Sequence, residues 1–141
     1  DPIGSRGLGD VYKRQSGEYA LVKAAKNIMA MGPRFLIIKK GEHGALLFDS
    51  ESIYFCPALP LEEVFDPTGA GDTFAGGFIG YLASTDDISF DNMRRAVIYG
   101  SAMASFCVEK FGTERLVNLS KSEINSRVQQ FIDLSQVQIS I

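Results

Sequence analysis

The chain of 141 residues is long enough for one domain of modest size with its own core. A hydrophobic content of 45% and a charged content of 22% are typical of a globular protein, and the formal net charge of -3 provides no basic surface for nucleic acid or an anionic membrane. The sequence contains no apolar run of the roughly 20 residues that span a bilayer and no signal-peptide pattern, so we expect a cytoplasmic protein.

The first 15 residues differ in composition from the rest and show neither helical nor strand periodicity. We interpret residues 1–15 as a non-native leader, such as translated adapter sequence, and exclude them from the fold. From Ser16 the pattern is helical until Gly32 and Pro33, and residues 35–38 then form an apolar strand typical of a buried parallel sheet. A helix followed by a buried strand predicts an α/β layer fold.

A turn with Gly41 and Gly44 follows this strand, and two further short strands are predicted at 45–48 and 53–55. We expect these two strands to pair as a hairpin. The two turn glycines are a weak signal by themselves, because many hairpins contain glycine. His43, the only histidine, lies in this turn beside a glutamate, and we expect it to be solvated.

Residues 66–78 read Asp-Pro-Thr-Gly-Ala-Gly-Asp-Thr-Phe-Ala-Gly-Gly-Phe, a turn-rich loop that runs directly into a helix pattern. Gly69 and Gly71 allow consecutive amides to point toward one bound group, and a helix N-terminus adds attraction for phosphate. Asp72 then falls in the first turn of the helix. A carboxylate beside an anion site favours a hydroxyl substrate between the two, whose proton the carboxylate accepts, and this arrangement indicates phosphoryl transfer.

The same residues also allow a structural interpretation, since Asp-Pro-Thr-Gly is an ordinary turn and Asp near a helix start is a common cap. Three glycines in the following helix weigh against it: Gly76, Gly77 and Gly80. Each costs about 1 kcal/mol relative to alanine in a helix interior. They therefore predict that another backbone or a ligand approaches this helix closely.

The remaining patterns predict packing. Phe74, Phe78 and Leu82 form a helix face expected to pack on the sheet, and a second helix carries an apolar stripe from Phe90 to Phe111, ended by Gly112. A capping box at Ser120–Glu123 opens a last helix, whose predicted buried face is Ile124, Val128, Phe131 and Ile132. Cys56 and Cys107 lack metal-site spacing and are predicted to be buried, reduced thiols. No P-loop motif is present.

Residues 66–79 resemble the second signature of the ribokinase-like (PfkB-type) carbohydrate kinases, whose core is Gly-Ala-Gly-Asp. The resemblance extends over roughly residues 16 to 133. It implies the C-terminal part of a three-layer α/β/α fold with a mostly parallel sheet, formed by residues 16–134, with 135–141 as a tail. It also implies that Asp72 is the catalytic base and that the amides of Gly69, Ala70 and Gly71 form the anion hole.

By the same resemblance, Gly41 and Gly44 line the nucleotide site, although this chain has Lys39 where family members usually have threonine. Asp66 and Thr68 occupy the positions beside which the family often binds a monovalent cation, with K⁺ as the candidate ion. The implied cofactors are ATP and Mg²⁺. The implied partners are ATP and a small hydroxylated substrate, with no nucleic acid or membrane and with a homodimer as the candidate assembly of the full-length protein.

The sequence therefore predicts an ATP-dependent sugar kinase, represented here by a truncated chain. A nucleoside kinase of the adenosine type and a non-catalytic nucleotide-binding fragment are the alternatives. In the resembling family the sugar-binding residues, the lid strands and an Asn-x-x-Glu motif lie in the N-terminal half. We accordingly expect the chain alone to be inactive and the acceptor to be undetermined by this sequence.

Overall fold

A computed structural model of the chain describes residues 20–61, 69–109 and 118–140. The chain divides into two compact units, which meet in the sequence between Phe55 and Cys56. None of the described helices has the length and apolar character needed to cross a membrane.

The first unit combines one helix with a three-stranded sheet. Its elements are α1 (Ala20–Ala30), β1 (Leu36–Lys39), a 3₁₀ turn (Gly41–His43), β2 (Ala45–Phe48) and β3 (Ile53–Cys56), of which the last residue, Cys56, is the first residue of the second unit. The strand order in the sheet is β1-β2-β3. β1 and β2 run antiparallel, with Leu36 opposite Phe48 and Lys39 opposite Ala45.

Within this unit, β1 pairs antiparallel with β2 on the one edge of β1 that has a described partner. The link from β1 to β2 is a tight turn, whereas parallel neighbours need a crossover of about a dozen residues or more. β1 also buries Leu36 and Ile38 while Ile37 and Lys39 are only half-buried, so it is not covered equally on both faces. Among the described strands, no parallel pair is recorded.

β2 and β3 are hydrogen-bonded neighbours, which confirms the predicted pairing. Asp49 organises the turn between them. Its amide donates to the carbonyl of Ser52 at 3.0 Å, and its Oδ1 accepts the amides of Glu51 at 2.8 Å and Ser52 at 2.6 Å. An aspartate that hydrogen-bonds the backbone two and three residues ahead is a common way to close a short turn.

One face of α1 packs on the sheet and forms the core of this unit. The buried residues of the core are Leu21, Ala25, Leu36, Ile38 and Phe48, with Ile28, Met29 and Leu46 packed against them. On α1, the contributing residues recur at intervals of three and four, so they lie on one side of the helix. The predicted amphipathic helix is therefore confirmed over Ala20–Ala30.

The second unit consists of three helices in the residues described, α2 (Ala70–Thr85), α3 (Phe90–Glu109) and α4 (Lys121–Ser135). α2 packs on α3 at a pair of glycines. A Cβ on Gly77 would lie 3.0 Å from the Cα of Gly100, and a Cβ on Gly100 would lie 2.7 Å from the carbonyl oxygen of Phe74. Backbones can approach this closely only where neither residue carries a side chain.

Phe74 and Phe78 are both buried on α2, as predicted, with ring centroids 6.3 Å apart. The contact recorded for Phe74 is with α3, because a Cβ at Gly100 would lie 3.1 Å from its ring. The predicted packing of this helix face on the sheet stays a prediction. The helix-to-helix contact follows from the missing side chain at position 100, which makes room for an aromatic ring.

The link between α2 and α3 is fixed by polar side chains. Asn92 is buried, and its side-chain Nδ2 donates to Thr85 Oγ1 and to the carbonyl of Asp87, both at 2.7 Å. The hydroxyl of Ser89 accepts a hydrogen bond from the backbone amide of Asn92 at 3.2 Å, so Ser89 is the N-cap of α3. Hydrogen bonds from the amide and hydroxyl of Ser89 hold the pKa of Asp87 below its ordinary value.

α4 begins with the predicted capping box. Ser120 Oγ accepts the amide of Glu123 at 3.1 Å, and the Glu123 carboxylate accepts the amide of Ser120 at 3.2 Å. Val128 and Phe131 are buried as predicted, but Ile132 is 37% exposed, so its predicted burial is wrong. The predicted end of the α3 stripe, at Phe111 and Gly112, lies outside the described residues.

Arg127 fastens α4 to α3 by a network that the sequence did not reveal. Its guanidinium donates to Ser105 Oγ at 2.7 Å and to both carboxylate oxygens of Glu109 at 2.9 and 3.1 Å. It also lies 4.0 Å above the ring centroid of Phe106. The Arg127 side chain is only 12% exposed, so these interactions are shielded from water more than a surface ion pair would be.

We predict that Gly100→Ala destabilises the chain by about 1–3 kcal/mol, since the new methyl group would force the Phe74 backbone away. Gly80→Ala is the matched control, because a Cβ there meets no described residue within 4 Å. That substitution should stabilise by about 0.5–1 kcal/mol through helix propensity. Urea unfolding of the two variants measures both effects, and equal free energies of unfolding would contradict the close contact.

We predict that Arg127→Met destabilises the chain by about 1–3 kcal/mol, because it removes charge-assisted hydrogen bonds while keeping an apolar stem over Phe106. Arg94→Met is the control, since Arg94 forms an exposed pair with Asp91 at 3.5 Å. Such a pair contributes about 0–1 kcal/mol. Denaturation curves in low and high salt should separate the two, and an Arg127 effect that salt abolishes would argue against a shielded network.

Candidate active site

The candidate site is built around the start of α2. Gly69 precedes the helix in the left-handed conformation, with φ 84° and ψ -7°. This backbone region is readily available to glycine and unfavourable for most other residues. The sequence therefore places its glycine where the chain must turn sharply from the loop into the helix.

The first amides of α2 have no recorded acceptor among the described residues, and these are called its open amides. The first backbone bond of the helix runs from the Thr73 amide to the Gly69 carbonyl at 3.0 Å, so the amides of residues 70–72 precede the intrahelical ladder. Gly69 supplies no side-chain cap, and no acceptor for these three amides is recorded among the described residues. Their partial positive charge, added to the helix dipole, makes this end of α2 attractive to an anion.

Gly69 is held in place from two sides. Its carbonyl accepts a second hydrogen bond, from Thr73 Oγ1 at 2.8 Å. Cys107 of α3 lies under it, with Sγ 3.8 Å from the position a Cβ of Gly69 would take. Thr73 was missed at the sequence level, although a threonine four residues after the start of a helix commonly bonds back to that carbonyl.

Asp72 lies in the first turn of α2, as predicted, and is exposed. Its carboxylate is therefore available to solvent or to a ligand at the same helix end as the open amides. A carboxylate in the first turn also interacts favourably with the helix dipole, which stabilises the ionised Asp72 side chain when no anion is bound. The Asp72 carboxylate can accept a proton from a group bound between it and an anion at the helix end.

The three glycines of α2 differ in their surroundings. Gly77 faces Gly100, so the predicted close approach of another backbone is confirmed there. A Cβ on Gly76 or Gly80 would meet nothing within 4 Å among the described residues, and both positions are exposed. With a spacing of four residues, Asp72, Gly76 and Gly80 lie along one side of the helix. That exposed side has little bulk next to the carboxylate.

The Gly41 and Gly44 turn belongs to the first unit. Both glycines have positive φ, 56° and 92°, and the turn is closed by a bond from the Lys40 amide to the Gly44 carbonyl at 2.7 Å. Glycine is thus required by the backbone at both positions. His43 is exposed beside Glu42, with Nε2 3.5 Å from the carboxylate, which confirms the expected solvated histidine.

The predicted cation residues, Asp66 and Thr68, lie outside the described residues. In the part of the chain that the structure describes, no three His, Cys, Asp or Glu side chains group in a way that could hold a metal ion. Cys56 and Cys107 are both buried free thiols, as predicted. Cys56 Sγ and Ser101 Oγ are 3.6 Å apart and form a hydrogen bond in which either group can donate.

Solved kinases share this architecture. Aminoimidazole riboside kinase from Salmonella enterica, in complex with aminoimidazole riboside and an ATP analog, has a TM-score of 0.67 and 27% identity, covering 85% of this chain and 40% of its own. A putative ribokinase II from E. coli, in complex with ATP and Mg²⁺, has a TM-score of 0.65 and 24% identity, covering 86% and 37%. The chain therefore has the α/β fold of the ribokinase class.

The sequence pattern of the pfkB family carbohydrate kinases matches residues 8–119, and the chain belongs to this family. The match begins inside the segment 1–15 that was interpreted as a leader. A cytidine kinase from Thermococcus kodakarensis is 48% identical over 58 residues, which are 40% of this chain and 20% of that protein. The chain spans well under half the length of these relatives.

Proposed function

We propose that the chain is the C-terminal part of a kinase that transfers the γ-phosphate of ATP to a hydroxyl of a sugar. The observation that carries the proposal is the start of α2, where the amides of Ala70 and Gly71 lack a recorded acceptor beside the exposed Asp72. Open amides at a helix N-terminus favour a phosphate group. A carboxylate at the same end favours a hydroxyl, whose proton it can accept.

In the proposed reaction the acceptor hydroxyl gives its proton to Asp72 as its oxygen bonds to the γ-phosphorus. The bond from that phosphorus to the oxygen bridging the β- and γ-phosphates breaks, and ADP leaves with the electron pair. The amides of Gly69, Ala70 and Gly71, with the dipole of α2, stabilise the charge on the transferring group. Most of the catalytic effect comes from positioning and electrostatics.

ATP and Mg²⁺ are the proposed cofactors. We propose that Gly41 and Gly44 line the nucleotide, because their positive-φ turn presents backbone groups without side-chain bulk. Mg²⁺ would neutralise charge on the phosphates, and it commonly relies on phosphate oxygens and few protein ligands. Asp66 and Thr68 are proposed for a K⁺ ion, which a dependence of turnover on K⁺ would test.

A nucleoside is the second candidate acceptor, favoured by two comparisons. The relative with 48% identity is a cytidine kinase, and the solved Salmonella kinase holds a riboside. A sugar and a nucleoside both present an alcohol hydroxyl, so the proposed role of Asp72 is the same for either. A panel of ribose, fructose, hexose phosphates, adenosine, inosine and cytidine, with ADP release as the readout, discriminates the two classes.

The alternative from another class is a nucleotide-binding fragment without turnover. Calorimetry with ATP and Mg²⁺, on the sample used for the turnover assay, separates the two: binding without ADP release with any acceptor favours the fragment. We also propose a cytoplasmic kinase that binds neither nucleic acid nor membrane, with a homodimer as the candidate assembly. Light scattering on the same sample measures that assembly.

We predict that Asp72→Asn lowers turnover at least about 100-fold, since asparagine keeps the shape of the side chain and cannot accept the proton. Affinity for ATP should change little. The assay uses the protein as its gene encodes it, with the acceptor that gives the highest rate.

Asp91→Asn is the matched control, because Asp91 is also an exposed carboxylate in the first turn of a helix, α3. It should leave turnover unchanged. Near-normal turnover in Asp72→Asn would remove Asp72 from the mechanism, and an equal loss in both variants would point to a general effect of charge.

A further inference from the structure

We propose that Thr73 is a positioning residue of the candidate active site. Its hydroxyl fixes the orientation of the peptide between Gly69 and Ala70, and thereby aims the Ala70 amide at the transferring phosphoryl group. This inference rests on the proposed function of the α2 N-terminus and adds a residue to it.

Two hydrogen bonds fix the direction of the Gly69 carbonyl. This oxygen accepts the Thr73 amide at 3.0 Å and Thr73 Oγ1 at 2.8 Å. A carbonyl oxygen has two lone pairs, so both of its acceptor positions are occupied by one residue. The carbonyl is therefore held along the helix, toward Thr73, by two bonds where an ordinary first turn has one.

Because the peptide is planar, the direction of the Gly69 carbonyl also sets the direction of the Ala70 amide. In a trans peptide the C=O and the N–H of the next residue point in opposite directions. A Gly69 carbonyl that points into the helix therefore sends the Ala70 amide outward, at the end of α2 where Asp72 lies. Any rotation of this peptide would turn the Ala70 amide away from that position.

The need for a second bond follows from Gly69 itself. Glycine has wide conformational freedom, and the ends of helices fray. The sharp turn requires glycine, at φ 84°, so its side chain cannot restrict the loop. Thr73 supplies that restriction on one side, and Cys107 Sγ, 3.8 Å from the Cβ position of Gly69, supplies contact on the other.

Threonine at position 73 is not explained by its contribution to the stability of α2. Threonine is a poorer helix former than alanine, and its bond to the carbonyl four residues back tends to loosen a helix. The end of α2 provides a comparison. Ser84 Oγ donates to the carbonyl of Tyr81, three residues back, at 2.9 Å, a similar hydroxyl-to-backbone bond at the opposite end of α2.

Loss of the Thr73 hydroxyl should act mainly on the transition state. The Ala70 amide gains most when charge develops on the transferring phosphoryl group, so looser positioning lowers kcat more than it weakens ground-state binding. A neutral hydrogen bond corresponds to about a threefold to tenfold change in rate. We expect a change of this size in kcat for Thr73→Val, with KM for the acceptor and affinity for ATP nearly unchanged.

The experiment compares Thr73→Val, Thr73→Ser and Ser84→Ala in the protein as its gene encodes it. Valine keeps the shape and removes the hydroxyl, serine restores the hydroxyl, and Ser84→Ala removes a similar bond far from the site. The readouts are kcat, KM, the thermal midpoint, and the affinity for ATP and for ADP with aluminium fluoride, a mimic of the transferring group. Thr73→Val should lose kcat and weaken the ADP complex with aluminium fluoride, Thr73→Ser should recover both, and Ser84→Ala should match wild type.

Two outcomes overturn the inference while the proposed function stands. In one, Thr73→Val matches wild type in kcat and in affinity for the mimic. In the other, it lowers the thermal midpoint and all binding constants together, as a purely structural residue would. If the wild-type protein neither turns over any acceptor nor binds the mimic, the proposed function fails and the role of Thr73 fails with it.

Discussion

The second unit depends on the close approach of α2 and α3 at Gly77 and Gly100. A Cβ on Gly77 would lie 3.0 Å, and one on Gly100 2.7 Å, from a backbone atom of the facing helix, so this approach needs glycine at both positions. This contact sets the depth at which α2 lies on α3. It also lets the Phe74 ring occupy the space that a side chain at position 100 would fill. Both consequences follow from the absence of a Cβ at Gly77 and Gly100.

The position of the candidate active site follows from that packing. With α2 seated on α3, Gly69 lies over Cys107, and the Gly69 carbonyl turns inward to Thr73. The open amides and the exposed Asp72 are then left at one end of a helix whose other side is buried. A buried side gives the site rigidity, and an exposed end gives it access, which are the two requirements for binding and turning over a small molecule.

The same end of α3 is also held by a different kind of interaction. Arg127 of α4 contacts Ser105, Phe106 and Glu109 at once, through two classes of hydrogen bond and a cation-π contact. These partners lie on successive positions of one stretch of α3, so a single side chain can bridge them. The guanidinium is suited to this role because its donors are fixed in a plane while its faces stack on aromatic rings.

The sequence by itself determined the local chemistry: the glycine turn before α2, the place of Asp72, the capping box at Ser120, and the positive-φ glycines at 41 and 44. Each depends on residues within a few positions of one another, where spacing and backbone sterics suffice. Only the tertiary structure decided that Gly77 meets Gly100, that Arg127 reaches Glu109, that β1 pairs antiparallel with β2, and that Ile132 is exposed. These depend on which surfaces meet, and many pairings of helices and strands satisfy one apolar pattern, so the pattern alone does not select among them.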